Sequence, residues 1–204
     1  MPLFDVMGRP GSGKTTSTTR AKERLDGLWL PSITDRPQRP GELSWEEGGE
    51  YMFLEAEQII AMNKRGEFAS LVDPRKGQGQ GKYFYGTPLD FLARASHDVR
   101  WWFSVIVPEV LAPFHQHCRG GRILSVYISV ASEEFLYRNM IHRGEEPEEA
   151  RRRLVKSATW DETVRTSPLQ IIEIVNSEET TVAAIADRMV THARHFEHGG
   201  RVHT

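Results

Sequence analysis

One stretch near the start of the chain constrains its fold more than any other: Gly8-Arg9-Pro10-Gly11-Ser12-Gly13-Lys14-Thr15. Its spacing is G-x4-G-K-T. A short apolar run at 3–7 precedes it, and a helical pattern at 14–25 follows. A strand that ends in glycines and opens a helix is the setting in which a P-loop works. Glycines at 8, 11 and 13 let the backbone curl with its N–H groups turned inward. Those donors, with the helix N-terminus, bind phosphate oxygens. Lys14 is expected to reach the β/γ-phosphates and Thr15 to ligate Mg²⁺. Gly8, Gly11, Ser12, Gly13, Lys14, Thr15 and Thr16 are thus the expected ATP-binding residues, with Mg²⁺ on Thr15 and ATP as co-substrate. Lys14 also separates an enzyme from a scaffold, because a nucleotide-like fold that only binds protein needs no cation there.

The rest of the chain alternates strands and helices. Buried strands are expected at 101–107, 123–129 and 171–175. Helices are expected at 88–95, with Pro88 first, from Ser132 to about 141, at 147–163 and at 178–196. Strands separated by helices imply a parallel sheet with helices on both faces. The fold class is therefore α/β, with a P-loop NTPase core. The segment 32–87 breaks the rhythm: an extended piece at 51–54, a helix at 55–65 stopped by Gly66, and short strands at 68–72 and 82–85 joined by a Gly/Gln loop at 77–81. It reads as a small inserted α+β lobe. The core is then 1–31 and 88–204, and 199–204 reads as a frayed tail.

Composition narrows the function classes. With 204 residues, 39% hydrophobic and 26% charged, the chain suits one globular domain carrying an insertion. A net charge of −2 argues against a general nucleic-acid or anionic-membrane binder. The longest apolar stretch, about 101–107, is too short to span a bilayer. Residues 2–7 run straight into glycines with no basic start and no long apolar core, so no signal peptide is expected. A single cysteine, Cys118, excludes an internal disulfide framework and a thiolate-only zinc site, and fits a reducing, cytoplasmic setting. His115-Gln116-His117-Cys118 and the series His192, His195, His198 read as helix-end polar residues rather than metal ligands.

A second anion site is written in Ser32-Ile33-Thr34-Asp35-Arg36-Pro37-Gln38-Arg39-Pro40-Gly41-Glu42. Two arginines three apart, braced by prolines, form a fork suited to a phosphate dianion. Then come Tyr51-Met52-Phe53, Gly66-Glu67-Phe68 and Tyr83-Phe84-Tyr85-Gly86-Thr87. In this order the motifs resemble the guanylate kinase family, and the resemblance continues at Arg143-Gly144, Arg153-Leu154 and Ile174-Val175-Asn176. It implies an ATP-dependent nucleoside monophosphate kinase whose partners are nucleotide substrates. By position, Ser32, Arg36, Arg39, Tyr51 and Tyr85 would hold the acceptor phosphate. Thr87 would contact the acceptor base, and a segment at about 132–163 would be a helical lid. Lys14, Arg36, Arg39, Arg143 and Arg153 would act on the transferring phosphoryl group, and Asn176 would lie by the adenine. From the residues alone, Thr87-Pro88-Leu89-Asp90 is equally a helix cap.

The departures from the family pattern fall at the base. Where the family carries an acidic residue two positions after the Phe of G-E-F, this chain has Ser70, the remaining candidate base contact. A hydroxyl cannot replace a bidentate carboxylate acceptor. The strand at 101–107 has Ser104 and no carboxylate where the family places acidic residues, and Asp35 replaces a threonine. Asp73 could restore a guanine contact from another direction. Groups that face phosphate are kept and groups that face guanine are lost. An acceptor base altered or loosely read is therefore expected, with ribo- and deoxyribonucleotides both open. The alternatives are a P-loop kinase of a phosphorylated sugar, against which Arg39 and Tyr51-Met52-Phe53 argue, and a non-catalytic protein-binding module of the same fold.

Overall fold

The computed structural model describes residues 2–77, 82–118 and 121–198. The expected Gly/Gln loop lies outside these residues beyond Gly77, and the expected tail at 199–204 lies outside them entirely. The core is one parallel sheet of β1 (Pro2–Gly8), β2 (Leu28–Trp29), β7 (Trp102–Val105), β8 (Arg122–Val130) and β9 (Ile171–Asn176) in the order β2-β7-β1-β8-β9. The central strand β1 is buried along nearly its whole length, as a strand covered on both faces must be. On one face Phe4, Val6, Leu124, Val126 and Ile128 pack with α8 (Val182–Glu197) and with Ala21 of α1 (Lys14–Arg24). On the other, Leu3, Met7 and Tyr127 meet α3 (Leu89–Ser96) and α4 (Leu111–His117) through Phe91, Leu92, Leu111 and Phe114.

A second sheet contains β3 (Ser32–Thr34), β4 (Tyr51–Phe53), β5 (Phe68–Val72) and β6 (Tyr85–Pro88), ordered β4-β3-β6-β5. One face is closed by α2 (Ala56–Lys64), whose Ile59 is fully buried with Ile33 and Phe84. The helices α5 (Glu133–His142), α6 (Pro147–Lys156) and α7 (Trp160–Arg165) follow β8. Leu136, Met140, Ala150 and Leu154 form a cluster of their own between α5 and α6. The Ser132 hydroxyl accepts from Phe135 N at 3.1 Å and caps α5, as its sequence indicated. No helix among the described residues is long and apolar enough to cross a membrane.

Several local expectations change. The helix expected at 147–163 is two helices, α6 and α7, broken around Ser157. That serine is fully buried and its hydroxyl is held by the Leu154 carbonyl and by Arg9, a tertiary contact that local pattern does not encode. The strand expected at 82–85 begins at Tyr85 and runs to Pro88. Pro88 is therefore the last strand residue and the N-cap of α3, not its first helical residue. The last helix starts at Val182, where Thr181 accepts from Ala184 N, rather than at 178. The strands β2 and β3 are too short to show a period. β2 is recruited by Leu28 N and Leu30 N donating to Trp101 O and Phe103 O at 2.8 and 2.7 Å.

Candidate active site

The loop between β1 and α1 uses backbone that glycine adopts cheaply: Gly11 and Gly13 have φ of 78° and 83°. No side chain caps α1, so its first N–H groups are open to an anion. Gly11 also lies so close to α5 that a Cβ there would strike the Leu136 carbonyl. Two side-chain amides brace the loop. Asn139 donates to Gly11 O and Asn176 to Ser12 O, each at 2.9 Å. Asn176 thus stands directly against the loop, with its Oδ1 buried and without a hydrogen-bond partner. Gly8 is buried at the end of β1 and Ser12 within the loop, while Thr15 and Thr16 are exposed.

Cations crowd the space in front of the loop. Lys14 Nζ donates to the Arg9 carbonyl at 3.3 Å. Burial, then the Arg153 and Arg143 guanidinium groups and Arg39, lower the Lys14 pKa to about 7, with Glu50 opposing them. Burial and the same neighbours, Arg39 and Arg153, lower Arg143 in turn. Such mutual repulsion without enough counter-charge is what a polyanion site looks like before its ligand arrives.

The residues expected to form the second anion site carry charges that reach the first. Arg36 is 5% exposed and grips Glu42 through both carboxylate oxygens. Its guanidinium lies 4.5 Å from the Tyr51 ring centre and 5.2 Å from that of Phe53. Burial works against its charge, but the Glu42 hydrogen bonds and the two tyrosines outweigh it and raise its pKa. Tyr51 and Tyr85 meet edge to face at 6.1 Å. Burial raises Tyr85, while the positive charges of Arg36, Arg153 and Arg39 pull it down. Arg39 is exposed, yet it acts on Lys14, Arg143 and Tyr85 together. Ser32 sits in register with Tyr51.

Lys14, Arg36, Arg39, Tyr51, Tyr85, Arg143 and Arg153 therefore lie within electrostatic reach of one another, although they are far apart in sequence. Arg153 is also paired with Glu145 at 2.5 Å. Ser70 and Thr87 face each other across β5 and β6, with their hydroxyl oxygens 3.4 Å apart and both residues buried. This corrects the helix-cap reading of Thr87: the N-cap position belongs to Pro88, and no side-chain bond is made there. Other candidate base readers are engaged elsewhere. Asp35 accepts from Phe84 N at 2.7 Å, and Asp73 is paired with Arg75 at 2.7 Å. Ser104 lies in mid-sheet, in register with Asp5, whose carboxylate binds Ser125 and His115.

Sequence reasoning passed over Glu50, Asn139 and Arg9. Glu50 is 5% exposed, and its two oxygens lack a partner at hydrogen-bonding geometry, with the Tyr51 hydroxyl alongside. Burial pushes its pKa up to about 7 against the pull of Tyr51, Lys14 and Arg36. An acidic residue directly before Tyr51 was the one available signal. Among the described residues no His/Cys/Asp/Glu cluster is placed to hold a metal. Mg²⁺ commonly keeps its waters and binds through few protein ligands plus substrate phosphates. The exposed Thr15 at the start of α1 fits that mode.

Fold and site together define a P-loop nucleoside monophosphate kinase. The chain is 32% identical over 157 residues to the guanylate kinase of Frankia casuarinae, covering 76% of this chain and 79% of that one. It is 25% identical over 201 residues to the guanylate kinase of Thermotoga maritima, with 92% of each chain covered. The crystal structure of guanylate kinase from Anaplasma phagocytophilum superposes with a TM-score of 0.66 at 21% identity, covering 94% of this chain and 84% of that one. No protein-family model matches the chain. The chain belongs to the guanylate kinase family.

Proposed function

We propose that the chain transfers the γ-phosphoryl group of ATP to a ribo- or deoxyribonucleoside monophosphate, giving the diphosphate, and that its acceptor base is not read as guanine is read. Residues 1–31 and 88–204 act as the kinase core, 32–87 as the acceptor lobe, and 132–163 as the lid. The observation that carries this reading is the juxtaposition of a lysine-bearing loop with the Arg36, Arg39, Tyr51 and Tyr85 cluster, beside a base end bearing Ser70 and Thr87.

Phosphoryl transfer asks the protein for positioning and charge neutralisation. The loop N–H groups and Lys14 hold the donor phosphates, and Mg²⁺ bound at Thr15 supplies further neutralisation of charge on them. Arg36 is anchored by Glu42, and its remaining Nε–Nη2 edge is the one left to grip the acceptor phosphate. Arg39 and the tyrosine hydroxyls orient that phosphate. Its oxygen is anionic at neutral pH, so no general base is needed. Arg143 and Arg153 come from the lid and exclude water, which limits hydrolysis.

At the base, guanine offers N1–H and an exocyclic amine as donors. Two hydroxyls already in contact with one another are poor acceptors for that pair, and Asp35 and Asp73 are bonded elsewhere. A missing partner for a required donor costs powers of ten in discrimination. Steady-state rates over a panel of ribo- and deoxyribonucleoside monophosphates test the reading. Turnover spread over several acceptors supports it, and strict preference for GMP overturns the base assignment.

A further inference from the structure

We propose that Arg9 is a positioning residue that carries the docking of α5, α6 and α7 to Lys14. The proposal rests on the reading of those helices as a lid. Arg9 fills a variable position of the G-x4-G-K-T pattern, and its side chain is almost wholly buried at 6% exposure. Nη2 donates to Glu133 Oε1 at 2.5 Å, at the first turn of α5, and to Leu154 O at 3.2 Å in α6. Nε donates to Ser157 Oγ at 3.4 Å, just beyond α6. Nη1 lies 3.9 Å from Asp161 in α7. Three helices thus hold one guanidinium group. The carbonyl of the same residue accepts from Lys14 Nζ at 3.3 Å.

The physical link is short. A buried guanidinium that loses its partners is costly, so the loop and the three helices keep their mutual placement together. While they are docked, the Arg9 carbonyl is fixed and holds Lys14 in one rotamer. The same docking brings Arg153 of α6 and Arg143 at the end of α5 up to Lys14, where Glu50 and Arg39 already face it. With its donors engaged on the helices, Arg9 acts through Lys14 and not on phosphate.

The test is a set of variants: Arg9→Ala, Arg9→Lys, Glu133→Ala and the Arg9→Ala/Glu133→Ala pair. Each is assayed for transfer to an accepted monophosphate and for ATP hydrolysis without acceptor. Arg9→Ala is expected to lower kcat roughly 10- to 100-fold with the acceptor KM within about threefold of wild type, because Arg36 and Arg39 still hold that phosphate. Hydrolysis per transfer rises, Arg9→Lys recovers part of the loss, and the double variant falls no further than Arg9→Ala. An Arg9→Ala protein that melts lower but keeps wild-type kcat and hydrolysis ratio overturns the proposal, as does strict additivity in the double variant. A wild type silent on every monophosphate strikes the kinase reading instead. The same variant cycle on ATP affinity then decides Arg9 alone: coupling supports it and additivity overturns it.

Discussion

Arg36 and Glu42 form a fork-to-fork pair, Nη1 to Oε2 at 2.7 Å and Nη2 to Oε1 at 2.5 Å, with Glu42 also accepting from Arg39 N at 3.0 Å. One carboxylate thereby sets the aim of a buried guanidinium and the path of the loop that carries the second arginine. Glu42→Ala should therefore act on the acceptor side alone. The expected result is an acceptor KM raised about tenfold or more with the ATP KM within about threefold, as a lost charge-assisted pair predicts. Equal loss on both substrates would place Glu42 in general stability.

Glu50 gives the apoprotein a pH signature. Its folded pKa is about 7, above the unfolded value near 4.5. Between these values the folded state binds more protons than the unfolded state, so this group makes stability fall as pH rises from about 4.5 to 7. Glu50→Gln, which mimics the protonated form, should gain on wild type across that window, by on the order of 3 kcal/mol at most once above it. Denaturant titrations at pH 5 and 8 measure the gain. An unchanged difference at the two pH values would remove Glu50 from the buried position assigned to it.

Lys14 reports ligand binding through protons. Free, its pKa is about 7, held down by burial and by Arg153 and Arg143. Bound phosphate supplies the missing counter-charge and raises that pKa. At pH 8 a mostly neutral Lys14 must then take up a proton when ATP binds, and affinity should fall by up to about tenfold per pH unit above 7. Calorimetry in buffers of different ionisation enthalpy should show uptake approaching one proton in wild type and none in Lys14→Ala. Lys14→Ala should also lose most of kcat.

On the proposed reading, the opposing hydroxyls of Ser70 and Thr87 face the acceptor base, and one substitution there should shift base selectivity. Ser70→Glu returns a carboxylate to the strand position opposite Thr87 and should raise kcat/KM for GMP by about tenfold or more relative to other acceptors. If the ratio among acceptors does not move, the base lies elsewhere.

What the sequence discloses is what local spacing must encode. The loop from Gly8 to Thr15 has to present its donors consecutively, so its chemistry is legible residue by residue. The buried core strands are legible because their apolar runs are continuous. Arg36 and Arg39 are legible through the prolines and Glu42 around them. Glu50 was missed because its importance lies in burial near Lys14, which helix α1 brings in from a distant part of the chain. Arg9 looks like filler in the motif, since its partners at Glu133, Leu154 and Ser157 are more than a hundred residues away. The break between α6 and α7 escaped for the same reason, because Ser157 serves that contact. Thr87 matches a capping pattern and is instead spent on pairing with Ser70, where sheet register overrides the local rule.

The central claim is that one space grips two anionic tails, donor phosphates at Lys14 and acceptor phosphate at Arg36. A single compound carrying both tails, two nucleosides joined through five phosphates, measures this directly by calorimetry. Its affinity should exceed that of ATP by about a hundredfold, as linked occupancy of adjoining sites requires. The excess should vanish in Arg36→Ala and most of the remaining affinity in Lys14→Ala. Binding no tighter than ATP, or unaffected by Arg36→Ala, would contradict it.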